Sequence, residues 1–175
     1  MDMYKLKFTS LQLTILRYLS LTVGVKYNKR RLAIELGVSP TAISKALQKL
    51  VKGKLVKLTQ DKFSKNYKIE LNFDNFQTIK LKRVYNLQFI YESGLAEYLI
   101  FKHPGCTVIM FGSFSRGEDT IDSDIDIAVI GCDEKKLDLH KYVKSLLREI
   151  NVMYFKNWDD MGENLLINLR RGIYL

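Results

Sequence analysis

An apolar run ends in Phe111-Gly112-Ser113-Phe114-Ser115-Arg116-Gly117, and after the ten residues that follow Ser113 stands Asp124-Ile125-Asp126. Each residue type has a use at its position. Gly112 lets the backbone pass close to a ligand, and Ser113 opens a short helix whose free N–H groups suit an anion. Arg116, a turn further on, can pair with a phosphate oxygen. Strand side chains alternate, so Asp124 and Asp126 share one face while Ile125, Ile127 and Val129 anchor the other. Two carboxylates side by side repel unless a hard cation sits between them, and Mg2+ takes such oxygen ligands together with substrate phosphates. Taken alone, Asp-x-Asp also describes the wet face of an ordinary strand. Gly112-Ser113 at this spacing sets it apart.

Other chemistry is thin. Cys106 and Cys132 flank two apolar runs without metal-ligand spacing and read as buried free thiols. His103 and His140 are too isolated for a histidine metal site. The chain begins Met-Asp-Met-Tyr-Lys with no apolar leader core. No run approaches the roughly 18 apolar residues that span a membrane. The expectation is a soluble, cytoplasmic protein in a reducing compartment, without membrane contact.

The elements that hold these residues follow from pattern. Residues 106–111 and 124–130 read as strands, 133–148 as a helix, 150–155 as a third strand and 157–171 as a closing helix. Residues 76–102 read as a long helical stretch interrupted at Ser93-Gly94, a connector able to pack against another copy of itself. The region before it differs in kind. Residues 1–72 hold 15 Lys/Arg against 4 Asp/Glu, whereas residues 105–175 hold 9 against 12, within a chain of net charge +9. One half is built to meet phosphates. Its elements are helices at 10–23 and 28–36, a helix from Pro40 behind the N-cap Ser39, and a hairpin over 55–59 and 66–71. In the capped helix Ile43, Leu47 and Leu50 share one face, and Thr41, Ser44, Lys45 and Gln48 the opposite one. The hairpin tip carries Lys62 and Lys65.

Helix, helix, short turn, capped helix and basic hairpin resemble the winged helix-turn-helix family over residues 8–71. That resemblance implies double-stranded DNA as partner, with Thr41, Ser44, Lys45 and Gln48 at base edges or phosphates and Lys62 and Lys65 on the backbone. A docking or dimerisation module is the other use of such a fold. Gly112-Ser113, Arg116-Gly117 and Ser123-Asp124-Ile125-Asp126 resemble the minimal branch of the DNA polymerase beta-type nucleotidyltransferase superfamily, over about residues 86–175. The resemblance implies NTP binding by Gly112, Ser113, Arg116 and Ser123, and Mg2+ held by catalytic Asp124 and Asp126. It further implies transfer of a nucleoside monophosphate to an acceptor hydroxyl. Active members carry a third carboxylate on the next strand. Here that position reads as Asn151, with Glu149 two residues earlier on the same face; Asp159 and Asp160 read as first-turn charges of the last helix.

The expected architecture is two domains. Residues 1–72 form an α+β winged helix-turn-helix, 73–104 a helical connector, and 105–175 an α/β nucleotidyltransferase fold with a small mixed sheet. Three functions stay open: an active nucleotidyltransferase; a DNA-binding regulator whose transferase fold senses Mg-nucleotide or has weakened; and, by resemblance to minimal nucleotidyltransferases that act as antitoxins, the binding of a helical protein partner.

Overall fold

The computed structural model describes residues 7–60 and 67–175. The chain divides into two compact units, 1–78 and 79–175.

The first unit opens with α1 (Ser10–Leu21), started by a capping box in which Thr9 and Gln12 satisfy each other's backbone N–H groups. Helix α2 (Lys29–Glu35) is capped by Asn28, whose Oδ1 accepts from the Arg31 N–H at 2.8 Å. Helix α3 (Pro40–Lys52) is capped by Ser39, whose Oγ accepts from the Ala42 N–H at 3.1 Å, with Pro40 in the first turn where no N–H is needed. Strands β1 (Val56–Gln60) and β2 (Tyr67–Leu71) pair antiparallel, Leu58 opposite Ile69. Ile15, Leu16, Leu32, Ile43, Leu50 and Ile69 are fully buried at the centre. Each contributes roughly 1.5–3 kcal/mol by leaving water. Gln12 crosses this core to donate to the Ala46 carbonyl at 3.3 Å, tying α1 to α3. This order of elements is a winged helix-turn-helix.

Helix α4 (Phe76–Glu92) is followed by α5 (Leu95–Lys102), with a break at Ser93-Gly94 as the pattern predicts. Residues 79–102 of this stretch belong to the second unit. Next come β3 (Thr107–Phe111), α6 (Gly112–Arg116), β4 (Ile125–Ile130), α7 (His140–Leu146), β5 (Ile150–Phe155), α8 (Glu163–Arg170) and β6 (Ile173–Tyr174). The sheet order is β5-β4-β3-β6, with β4 and β5 parallel and the other pairs antiparallel, so the sheet is mixed. Ile109, Phe111, Ala128, Ile130, Met161 and Leu169 pack together on one side of it.

Three expectations are corrected here. The helix predicted over 133–148 is confined to α7. The backbone before it is spent elsewhere: Tyr154 donates its hydroxyl to the Lys135 carbonyl at 3.3 Å, and the Asp138 N–H donates to the Tyr98 hydroxyl at 2.9 Å. The closing helix begins at Glu163, after a 3-10 turn at Trp158–Asp160 that Asn157 caps. Cys106 and Cys132 are half-buried and joined as a disulfide, with 6.0 Å between their Cα atoms. Thr107 pairs with Ile130, which puts the two cysteines just beyond the end of one antiparallel ladder. Sequence spacing does not reveal that adjacency, and free thiols no longer speak for a reducing compartment. Among the described residues, no helix is long and apolar enough to cross a membrane.

Candidate functional site

Strand β3 delivers the chain into α6, which begins at Gly112, one residue earlier than expected. The backbone at Gly112 has φ +73, and a Cβ there would overlap the Asp126 Oδ2 atom. Only glycine permits both the left-handed backbone and the close approach. Asp126 stands opposite Phe111 on β3 and opposite Asn151 on β5, so neighbouring strands flank it on both sides. It is half-buried, while Asp124 is exposed. Burial pushes the Asp126 carboxyl above its ordinary range; the Asn151 amide pulls it back down and the neighbouring Asp124 pushes it up.

Asn151 donates its Nδ2 to Asp124 Oδ2 at 2.9 Å, so a neutral amide spans both carboxylates. The register therefore sets Asn151 where a third acidic ligand is expected. Glu149 is exposed and accepts, through its carbonyl, the Ile125 N–H at 2.8 Å. It lines a cleft of about 330 Å³ together with Ile121, Asp122, Ser123, Asp124, Val143, Leu147 and Arg148. Among the described residues, no three His, Cys, Asp or Glu side chains converge as a metal cluster. The oxygen donors present still fit a hard cation: two carboxylates on one face, one of them held in a partly dry site where its charge is costly without a positive partner.

The remaining predicted residues divide. Ser113 is half-buried in the first turn of α6. Arg116 pairs through Nε with Glu118 at 2.7 Å. Ser123 turns its Oγ inward to accept the Thr120 N–H at 3.0 Å, shaping the loop before Asp124. In the first unit Thr41, Lys45 and Gln48 are exposed on α3 and Ser44 is half-buried. Ser44 and Gln48 line a hollow of about 470 Å³ with Lys29, Lys52, Leu47, Val51 and Leu58. Lys62 and Lys65 lie outside the described residues.

Sequence reasoning missed a charged cluster behind the site. Lys82 and Asn86 on α4, Asp119 after α6 and Arg148 before β5 are all at most 3% exposed. Lys82 bonds Asp119 Oδ1, and Arg148 reaches Asp119 Oδ2 through Nη2 at 3.0 Å and Nε at 3.3 Å. Asn86 donates its Nδ2 to Asp119 at 2.6 Å and to the Phe114 carbonyl at 2.8 Å, and its Oδ1 accepts from Lys82 at 3.2 Å. Lys82 and Asn86 at i, i+4 give a shared helix face, but nothing in their types announces burial.

Residues 92–164, which hold all of these second-unit features except those on α4, match the family model for the nucleotidyltransferase domain. The chain carries a nucleotidyltransferase domain. No curated protein matches the chain. Among solved structures it is similar to the adhesin competence repressor AdcR of Streptococcus pyogenes, at 22% identity over 59% of this chain and 72% of that one, TM-score 0.45. It is also similar to ZitR of Lactococcus lactis (22% identity, 56% of this chain and 64% of that one, TM-score 0.43). A MarR protein of Peptoclostridium difficile matches at 24% identity over 58% of this chain and 61% of that one, TM-score 0.41. The chain thus spans under two thirds of the length of the last two. Similarities this loose carry nothing further, and the winged helix rests on the order of its own elements.

Proposed function

We propose that the nucleotidyltransferase domain binds Mg-NTP and transfers a nucleoside monophosphate to an acceptor, and that the winged helix binds duplex DNA. The observation that carries the first part is the backbone of Gly112 set against the Asp126 carboxylate, at the start of α6 and beside Asp124. Asp124 and Asp126 are the groups that hold the cation in this reading. Ser113 and Arg116 meet the phosphates. The bound metal supplies charge neutralisation and orientation of the phosphates. The DNA reading rests on the polar face of α3 over a +11 segment. Duplex DNA and NTP are cytoplasmic ligands, which is the ground for proposing a cytoplasmic location.

Asn151 favours a second reading, in which the domain senses Mg-nucleotide for a DNA-binding regulator. An amide in place of the third carboxylate removes one negative charge from the face that must hold a second cation and activate an acceptor hydroxyl. Transfer by the wild type is then slow or absent. Asn151→Asp restores a carboxylate in register with Asp126, and its label transfer from α-labelled NTP should exceed the wild type's by about tenfold or more, on the scale of one metal-supporting group. Robust wild-type transfer that survives Glu149→Gln and gains nothing from Asn151→Asp would refute this account of the third ligand. Loss of Mg-NTP binding in Asp124→Ala and Asp126→Ala is the test of the binding step itself, read as the nucleotide-induced rise in melting temperature.

A further inference from the structure

The buried cluster has one anchor in each segment that carries the site. Asp119 precedes Asp124 by five residues on the loop that leads into β4. Arg148 is joined directly to Glu149 and stands three residues before Asn151. The Phe114 carbonyl that Asn86 holds lies one residue past Ser113 in α6. Lys82 and Asn86 hold the Asp119 and Phe114 segments directly to one α4 face, and Arg148 joins them through Asp119.

A second observation lies beside it. Leu147 has φ +54, a left-handed backbone that a branched, bulky residue rarely adopts. Arg148 Nη1 donates to the Leu147 carbonyl at 3.2 Å, so the side chain that reaches Asp119 also fastens this turn. The turn aims the chain from α7 into β5 and forms part of the cleft wall with Asp124 and Glu149. A strained residue fastened by a buried ion cluster is costly for stability alone, because buried ion groups are often replaceable by apolar ones at no loss. What the cluster does supply is a fixed distance between separate pieces of chain.

We infer that Lys82, Asn86, Asp119 and Arg148 are positioning residues for the nucleotide site, setting the Asp124–Asp126 face of β4 against the start of β5 and the start of α6. The inference rests on the Mg-nucleotide reading given above and says how that site is kept in register. The four act through Asp124, Asn151 and the α6 backbone.

The test compares folding with binding in the full chain. The triple variant Lys82→Met, Asp119→Leu, Arg148→Met exchanges the ion cluster for apolar groups. Its urea midpoint should stay at or above that of the wild type, while the dissociation constant for Mn2+-ATP, followed by calorimetry and by the Mn2+ electron paramagnetic resonance signal, rises on the order of tenfold or more. Wild-type affinity in a folded triple variant overturns the inference. If the triple variant does not fold, Asn86→Leu decides. It leaves the three charged groups and cuts the tie to Phe114, and it should show the same loss; unchanged affinity there overturns the inference equally. Asp124→Asn in parallel separates the two ideas. Binding that persists in Asp124→Asn, or is missing from the wild type, sinks the Mg-nucleotide reading and the positioning inference with it. Binding that is abolished in Asp124→Asn but intact in the cluster variants sinks only the inference.

Discussion

Helix α3 and the β4 face use polar residues in opposite ways. On α3 the hydrogen-bonding and charged side chains stand in water, over a core of Ile43, Ala46, Leu47 and Leu50 that does not depend on them. Around β4 the polar groups are drawn inward, Asp126 against the Gly112 backbone and Asp119 between Lys82 and Arg148. Side chains that do not share partners act additively, and side chains in one network do not. The first surface should therefore wear down by small steps. The second should fail as a unit.

The sharpest way to break that contrast is at the two glycines that bound α6. At Gly117, φ is +76 and a Cβ would lie 2.6 Å from the Ile79 carbonyl oxygen and 2.7 Å from the Arg83 nitrogen, both backbone atoms of α4. Gly117→Ala should cost about 2–5 kcal/mol, the sum of a left-handed backbone and an overpacked contact. At Gly112 the obstacle is the Asp126 carboxylate, which can swing aside. Gly112→Ala should cost about 1–2 kcal/mol for its left-handed backbone, less than Gly117→Ala, and lose metal-dependent nucleotide binding. Equal stability losses at both glycines would show that the two contacts are of one kind.

Lys82 offers a smaller effect with a sign. Burial lowers its ammonium from 10.5 to about 8, against the upward pull of Asp119. Between those two values the unfolded chain holds a proton that the folded protein has shed, so stability rises with pH across the window. The gain approaches about 3 kcal/mol if burial acts in full. Urea midpoints taken from about pH 7.5 to 10.5 should climb in the wild type and stay level in Lys82→Met. Parallel profiles would place the effect on another group.

The smallest effects belong to α3. Lys45→Ala should reduce the steepness of the salt dependence of duplex binding by about 0.9 for each phosphate it no longer neutralises. Gln48→Ala should narrow the gap between preferred and random sequences while leaving the salt slope alone. Fluorescence anisotropy at several salt concentrations separates the two. A full chain that retards no duplex at low salt removes the DNA reading altogether.

Much of this was written in local pattern. Ser39-Pro40 announces the start of α3, because capping is chemistry between neighbours, and the alternation of Ile125, Ile127 and Val129 announces β4 with its aspartates together. Asn151 as the neighbour of the aspartates was legible too, from the position at which the resembling family carries its third carboxylate. The sequence was silent where the partner is remote. Lys82 and Asp119 are 37 residues apart, and each alone has the composition of a surface charge. Residues 133–139 carry a helix-compatible sequence, yet Tyr98 and Tyr154 hold their backbone in another form. The disulfide is of the same class, since only the β3–β4 register makes neighbours of its two ends.

That bond draws a covalent ring around residues 106–132, and the ring contains α6, the loop after it and the Asp-x-Asp strand. On the chain-entropy account a closed loop of this size removes about 3–4 kcal/mol of freedom from the unfolded chain. It also changes what a protease can accomplish. A single cut anywhere inside the ring leaves both fragments tethered, running as one species until a thiol reductant is added. The portion of the molecule richest in chemistry is thereby also the portion that a nick alone cannot release.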